Sequence, residues 1–318
     1  MPNYQGVWSL SEQYQNASGW PLPPDGTRGV FAGGQNSNNV IDFVTIASAG
    51  NATDFGDLTE TKNNAVGGVS SSTRGVFALS SATSDNTLAY ITIASAGNAT
   101  DFGDLSVGRR NKVGGNSNST RGVFAGGQSA SVSYEDVIDY ITIASTGNAS
   151  DFGNLTVGRR QGGSGINSGT RGVFISGIDG SFLNTIDYIT IASTGNATDF
   201  GDSTSSVVSN FGAASSTRGL NGGGMNSSYD DLNVIEYITI ASTGNATDFG
   251  DFTATRAQCA GTSNPSRAIF GGGEVGGSVS NVIEFVTIAS TGNGTDFGDR
   301  TVSAAFLGAC SNGHGGLQ

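Results

Sequence analysis

Apolar and polar positions along the chain fall into a pattern that returns about every 48 residues. Each period holds four short apolar segments separated by glycine, serine, asparagine and threonine. In the first period, residues 28–34 read Arg-Gly-Val-Phe-Ala-Gly-Gly. Residues 40–48, Val-Ile-Asp-Phe-Val-Thr-Ile-Ala-Ser, are β-branched and aromatic with almost no polar alternation, which predicts a strand covered on both faces. Gly50-Asn51 supplies a turn, because both residue types tolerate positive φ. Residues 53–58, Thr-Asp-Phe-Gly-Asp-Leu, predict a third strand, and a weaker segment at 65–70 predicts a fourth.

The period is a true repeat. Asp-Phe-Gly-Asp, or Asp-Phe-Gly-Asn in one copy, begins at Asp54, Asp101, Asp151, Asp199, Asp248 and Asp296, with spacings of 47, 50, 48, 49 and 48 residues. A second string keeps step with it, opening at Arg28, Arg74, Arg121, Arg171, Arg218 and Arg267. Four antiparallel strands in such a unit is the size of a propeller blade. The expected fold is all-β: a six-bladed β-propeller with four antiparallel strands per blade. It spans 28–318, with blades starting near 28, 74, 121, 171, 218 and 267, after a short N-terminal extension at 1–27. In this reading the first strand of each unit lies nearest the central channel, where its glycines relieve crowding. The second is sandwiched between blades, and the Phe of each Asp-Phe-Gly packs there too. Counted from Arg28, the sixth unit ends near Gly313. Closure is therefore expected by packing the last blade on the first, with no strand exchanged. A solenoid is the competing fold, but its coils are shorter and lack these hairpin turns.

Composition narrows the classes. The 51 glycines have no Gly-X-Y period, which excludes collagen, and 13% charged residues is too few for a solvating, disordered chain. A net charge of −12 disfavours nucleic acid and anionic membrane as partners. No apolar run approaches the roughly 18 residues of a transmembrane helix, so no membrane insertion is expected. The segment Met1-Pro2-Asn3-Tyr4-Gln5 lacks the basic start of a secretory signal. Cys259 and Cys310 are expected as free structural thiols.

The run Thr-Arg-Gly-Val-Phe-Ala-Gly-Gly, followed by Val-Ile-Asp-Tyr-Ile-Thr-Ile-Ala-Ser-Thr-Gly-Asn, resembles kelch-like repeats in virion proteins of tailed phages, including marine and cyanobacterial ones. The opening Gly6-Val7-Trp8-Ser9-Leu10, with Gln13-Tyr14-Gln15 and Trp20-Pro21, looks like the leader that precedes such repeats. The late tryptophan of typical kelch blades is missing. The resemblance implies a virion protein assembled in the host cytoplasm, with other virion proteins as partners. A homo-oligomer in the particle is compatible with it.

Catalytic chemistry finds little support. Asp-Phe-Gly is also a kinase motif, but here it recurs without His-Arg-Asp or Val-Ala-Ile-Lys, so it reads as scaffold. Two carboxylates fall short of the six to eight oxygens calcium needs, and no metal is expected. The repeat arginines could bind an anion. Pairing with Asp42, Asp139, Asp187, Glu236, Glu284 or the Asp-Phe-Gly-Asp carboxylates is the preferred reading, although Ala89 takes the acid's place in the second repeat. The only histidine is His314, which excludes a His-centred triad or a multi-His metal site. Strings such as Asn51-Ala52-Thr53 read as turns, not glycan acceptors. No catalytic residue and no cofactor are assigned. A glycan hydrolase is the weakest reading, because its paired acids would be unique and these mostly repeat.

Function is sought where the repeat fails. The connections at 35–39, 79–87, 128–136, 178–184, 225–233 and 274–281 vary, and variable loops on a repeated scaffold make binding surfaces. Tyr134, Asp136, Phe182, Tyr229 and Asp230 are the candidate ligand-binding residues, suited to a host-surface glycan or protein. Trp8 and Trp20 are candidate virion anchors. The expectation is a tail-fibre or receptor-binding protein. Capsid decoration or a tail adaptor is the alternative.

Overall fold

The computed structural model describes residues 27–313 except 36–37, 62–63, 81–84 and 112–113. Among these the chain forms 27 strands and no helix, in seven antiparallel sheets of three or four strands. Six sheets have four strands and are numbered here by repeat, the first holding Arg28–Ala32 and the sixth Arg267–Gly271. The second sheet shows the arrangement, with Asn64–Ser70, Arg74–Ser80, Asp85–Thr92 and Thr100–Arg109 side by side in chain order. Arg-Gly-Val-Phe is thus a second strand, the long apolar run a third and Asp-Phe-Gly-Asp a fourth. The segment before each arginine is the first strand. Arg256–Ala257, Glu274–Val275 and Ser278–Val279 form the small remaining sheet.

This phase corrects two expectations. The strands that crowd together are the first strands, not those carrying Arg-Gly-Val-Phe. Asn64–Ser70 packs on Gly114–Ser117, and contact passes on through Gly163–Asn167, Phe211–Ala214, Ala260–Ser263 and Gly308–Ser311 back to Asn64–Ser70. Their glycines permit the approach: a Cβ on Gly68 would lie 2.1 Å from the Ala309 carbonyl oxygen. Closure also uses a strand. Gly308–Ser311 pairs with Arg28–Ala32, matching Gly29 with Ser311 and Ala32 with Gly308. A repeat counted from its arginine begins on a second strand, so Arg28–Ala32 would otherwise present an unpaired edge. Residues 1–26, nearly all of the N-terminal extension, lie outside the described residues.

The core lies between sheets. Val30, Ile41 and Phe55 of the first sheet pack with Phe77, Leu79 and Ile91 of the second. Phe31, Val44 and Ile46 of the first pack likewise with Ile269, Ile283 and Phe297 of the sixth. Each Asp-Phe-Gly phenylalanine fills a bulge. In the third sheet Ile138 pairs with Gly153 and Asp139 with Asp151, leaving Phe152 between them. Its ring is buried edge-on against Tyr140 at 6.1 Å, and burial of such a ring is worth roughly 1.5–3 kcal/mol. Cys259 and Cys310 are buried and unbonded, and burial pushes the Cys259 thiol up to about 12.

Three kinds of polar contact tie sheets to their neighbours, two of them at all six junctions and the third at four. The first is the turn before each Asp-Phe-Gly strand. Gly147 donates its N–H to the Phe102 carbonyl at 2.8 Å, and Asn148 Oδ1 accepts the Asp104 N–H at 3.1 Å. The second is the repeat arginine. Its guanidinium lies over the aromatic ring of its own third strand, 4.2–4.5 Å from the centroid. It also donates to a carbonyl of the following sheet: Arg28 to Ile93 at 2.9 Å and, from sixth sheet to first, Arg267 to Ile46 at 3.0 Å.

The expected pairing of these arginines with the strand acids is therefore corrected. Successive side chains on a strand point to opposite faces. Arg28 lies opposite Thr45 and shares its face with Phe43, so Asp42 points the other way. The acids take a different set of buried arginines, which is the third contact: Arg109–Asp139, Arg159–Asp187, Arg256–Glu284 and Arg300–Asp42. Each of these arginines follows an Asp-Phe-Gly string and reaches into the next sheet. A nearby hydroxyl residue joins it, as when Thr301 donates its N–H and Oγ1 to Asp42 at 3.0 and 2.9 Å.

Candidate functional site

Strand order repeats from sheet to sheet, so the connections between second and third strands all leave at the same end. In the fourth and fifth sheets they touch. Phe182 opens Phe182–Thr190, and Tyr229 lies in the loop after Arg218–Gly222; their rings meet edge-on at 5.5 Å. Tyr229 is 67% exposed at φ +63°. That left-handed conformation is unfavourable for a bulky residue and persists only where its surroundings impose it. Asn226 imposes it here. Its Oδ1 accepts the N–H groups of Ser228 and Asp230 at 2.8 and 3.0 Å, and its carbonyl accepts the Tyr229 N–H at 2.8 Å. These hydrogen bonds fix the backbone that carries the ring.

The neighbouring loops continue this surface. Tyr134, in the third sheet's loop, is half-buried beneath Arg160, whose guanidinium lies 5.3 Å from the ring centroid and donates to Gln128 Oε1. The Tyr134 hydroxyl faces the fourth sheet's loop, 3.9 Å from where a Cβ on Gly180 would stand. Asp136 and Asp230 are exposed. The Asp231 carboxyl is held above its ordinary range, first by partial burial and then by Glu274 and Asp230.

A cavity of about 110 Å³ lies at this same end, because Gly163 at the start of a first strand pairs with Ile175 near the end of a second. Asn111, Gln161, Ser209, Gln258 and Phe306 line it, all with φ between 50° and 60°. Gln161, Ser209, Gln258 and Phe306 each donate their N–H to the carbonyl of the preceding member, at 2.7–3.0 Å. That circlet fixes five non-glycine residues in a sparsely populated conformation. The buried Gln258 Oε1 and Ser209 Oγ have no protein partner. The volume exceeds the roughly 10–15 Å³ one water needs several times over, so the cavity takes water or small polar groups.

The structure thus brings Phe182, Tyr229 and Asp230 together and links Tyr134 to them through the Gly180 loop. Asp136 stands on the same side, on Glu135–Thr142. Trp8 and Trp20 lie outside the described residues. Sequence reasoning did not single out Arg160 or Glu274, and it missed the circlet. The doublet Arg159-Arg160 carried a signal: one arginine is buried on Asp187 and the next serves the loop face. No protein-family model matches the chain, and no curated protein sequence matches it.

Proposed function

We propose that the six four-stranded sheets are the blades of a kelch-like β-propeller, and that the chain is a tailed-phage virion protein whose loop face binds the host surface. The returning cycle of first-strand contacts supports the propeller. The binding reading rests on one observation. Tyr229 is an exposed aromatic on a constrained loop, packed edge-on against Phe182 of the preceding loop. A tyrosine joins an apolar ring to a polar tip, and Asp230 adds an acceptor beside it. That combination suits a hydroxyl-rich glycan. Asp230, Asp231 and Glu274 make the face acidic, which favours neutral over anionic sugars. In this reading the protein has no catalytic role, and other virion proteins hold it, with Trp8 and Trp20 as anchors.

Glycan-array and host-cell binding test the proposal. Tyr229→Ala should weaken binding at least about tenfold, the scale of an interface hot spot, with an unchanged melting temperature. Tyr134→Ala should weaken it less. Host binding that is absent, or unaffected by both substitutions, would favour capsid decoration or a tail adaptor.

A further inference from the structure

The fifth sheet departs from the buried-arginine pattern. Its strand acid is Glu236, opposite Asn221 as Asp139 is opposite Phe124. The arginine five residues after the Asp-Phe-Gly-Asp terminus, present as Arg109, Arg159 and Arg256, is here Val207. Glu236 is 4% exposed, and among the described residues no arginine or lysine ion-pairs with it. Thr204 donates its N–H and Oγ1 to it at 2.8 and 2.7 Å, and Asn221 Nδ2 donates at 2.8 Å. These bonds satisfy lone pairs but supply no opposing charge, which a buried carboxylate ordinarily requires.

Beside Glu236 is a cavity of about 20 Å³. Val207 and Leu232 line it together with the positions that hold a guanidinium in the third sheet, and the Val234 carbonyl also accepts the Gly223 N–H at 2.9 Å. In the third sheet Arg109 donates to the Gly126 and Val137 carbonyls at 3.1 and 2.6 Å and to Asp139 at 2.5 Å. The same repeat positions in the fifth sheet are Gly223, Val234 and Glu236, and all three line the cavity. Thr204 and Ser205, also in its wall, are exposed. The volume suits one particle of about water size.

We propose that this cavity binds a monovalent cation of ammonium size, ammonium or potassium, in place of the missing guanidinium. Thermal unfolding at equal ionic strength in ammonium, potassium or choline chloride tests it, choline being too large to enter. The wild-type melting temperature should rise by about 2 °C in ammonium or potassium relative to choline and saturate with concentration. Glu236→Gln, which keeps the shape and removes the charge, should abolish the difference. Val207→Arg, which restores the internal cation, should abolish it as well. Equal melting in all three salts, or a difference that Glu236→Gln retains, would overturn the proposal.

Discussion

At Gly103 the backbone has φ +141°, and a Cβ would lie 2.5 Å from the Gly147 carbonyl oxygen in the next sheet. The glycine of Asp-Phe-Gly is thus required twice, by conformation and by the backbone that passes over it. Gly97 lies in the equivalent turn, yet a Cβ there meets nothing within 4 Å. Gly103→Ala should therefore cost more than about 2 kcal/mol, while Gly97→Ala should stay within about 0.5 kcal/mol, as read by urea unfolding. Equal costs would separate the motif from the sheet-to-sheet contact. The scaffold role of Asp-Phe-Gly was legible because six copies cannot each be an active site. The partner of each repeat arginine was not. Which face a side chain takes depends on strand register, and one residue of phase separates Asp42 from Phe43.

Among the elements, the first strands were hardest to read. Gly114–Ser117 is Gly-Gly-Asn-Ser, with no apolar alternation at all. Its extended form is imposed by pairing with Arg121–Gly127 and packing against the first strands of the neighbouring sheets, since strand preference follows context more than composition. Misplacing this strand also misplaced the closure. Gly308–Ser311 pairs with Arg28–Ala32 and buries Cys310 between the first and second sheets. A chain ending at residue 307 should lose at least about 2–3 kcal/mol and self-associate through the bared edge, as seen by thermal unfolding and size-exclusion chromatography. An unchanged melting temperature and a monomer would contradict this account of closure. The loop connections were legible as variable, but Phe182 and Tyr229 lie 47 residues apart, and their edge-on contact required the sheets to be placed side by side.

For the whole molecule, repetition divides the labour. Residues present in every copy hold sheet to sheet: the arginine over its aromatic ring, the turn asparagine, the bulged phenylalanine. Where a copy departs from the rule, something is left over for other work, as at the Glu236 cavity and the Tyr229 loop. The central claim is that the end bearing Tyr134, Phe182 and Tyr229 faces outward to meet a host. A density map of an intact virion of the kind in which the proposal places this chain tests that most directly. The loop end should stand free in solvent, with the opposite end or residues 1–27 against the virion. A map in which Tyr229 is buried against another virion protein, or in which the chain is absent, would contradict it.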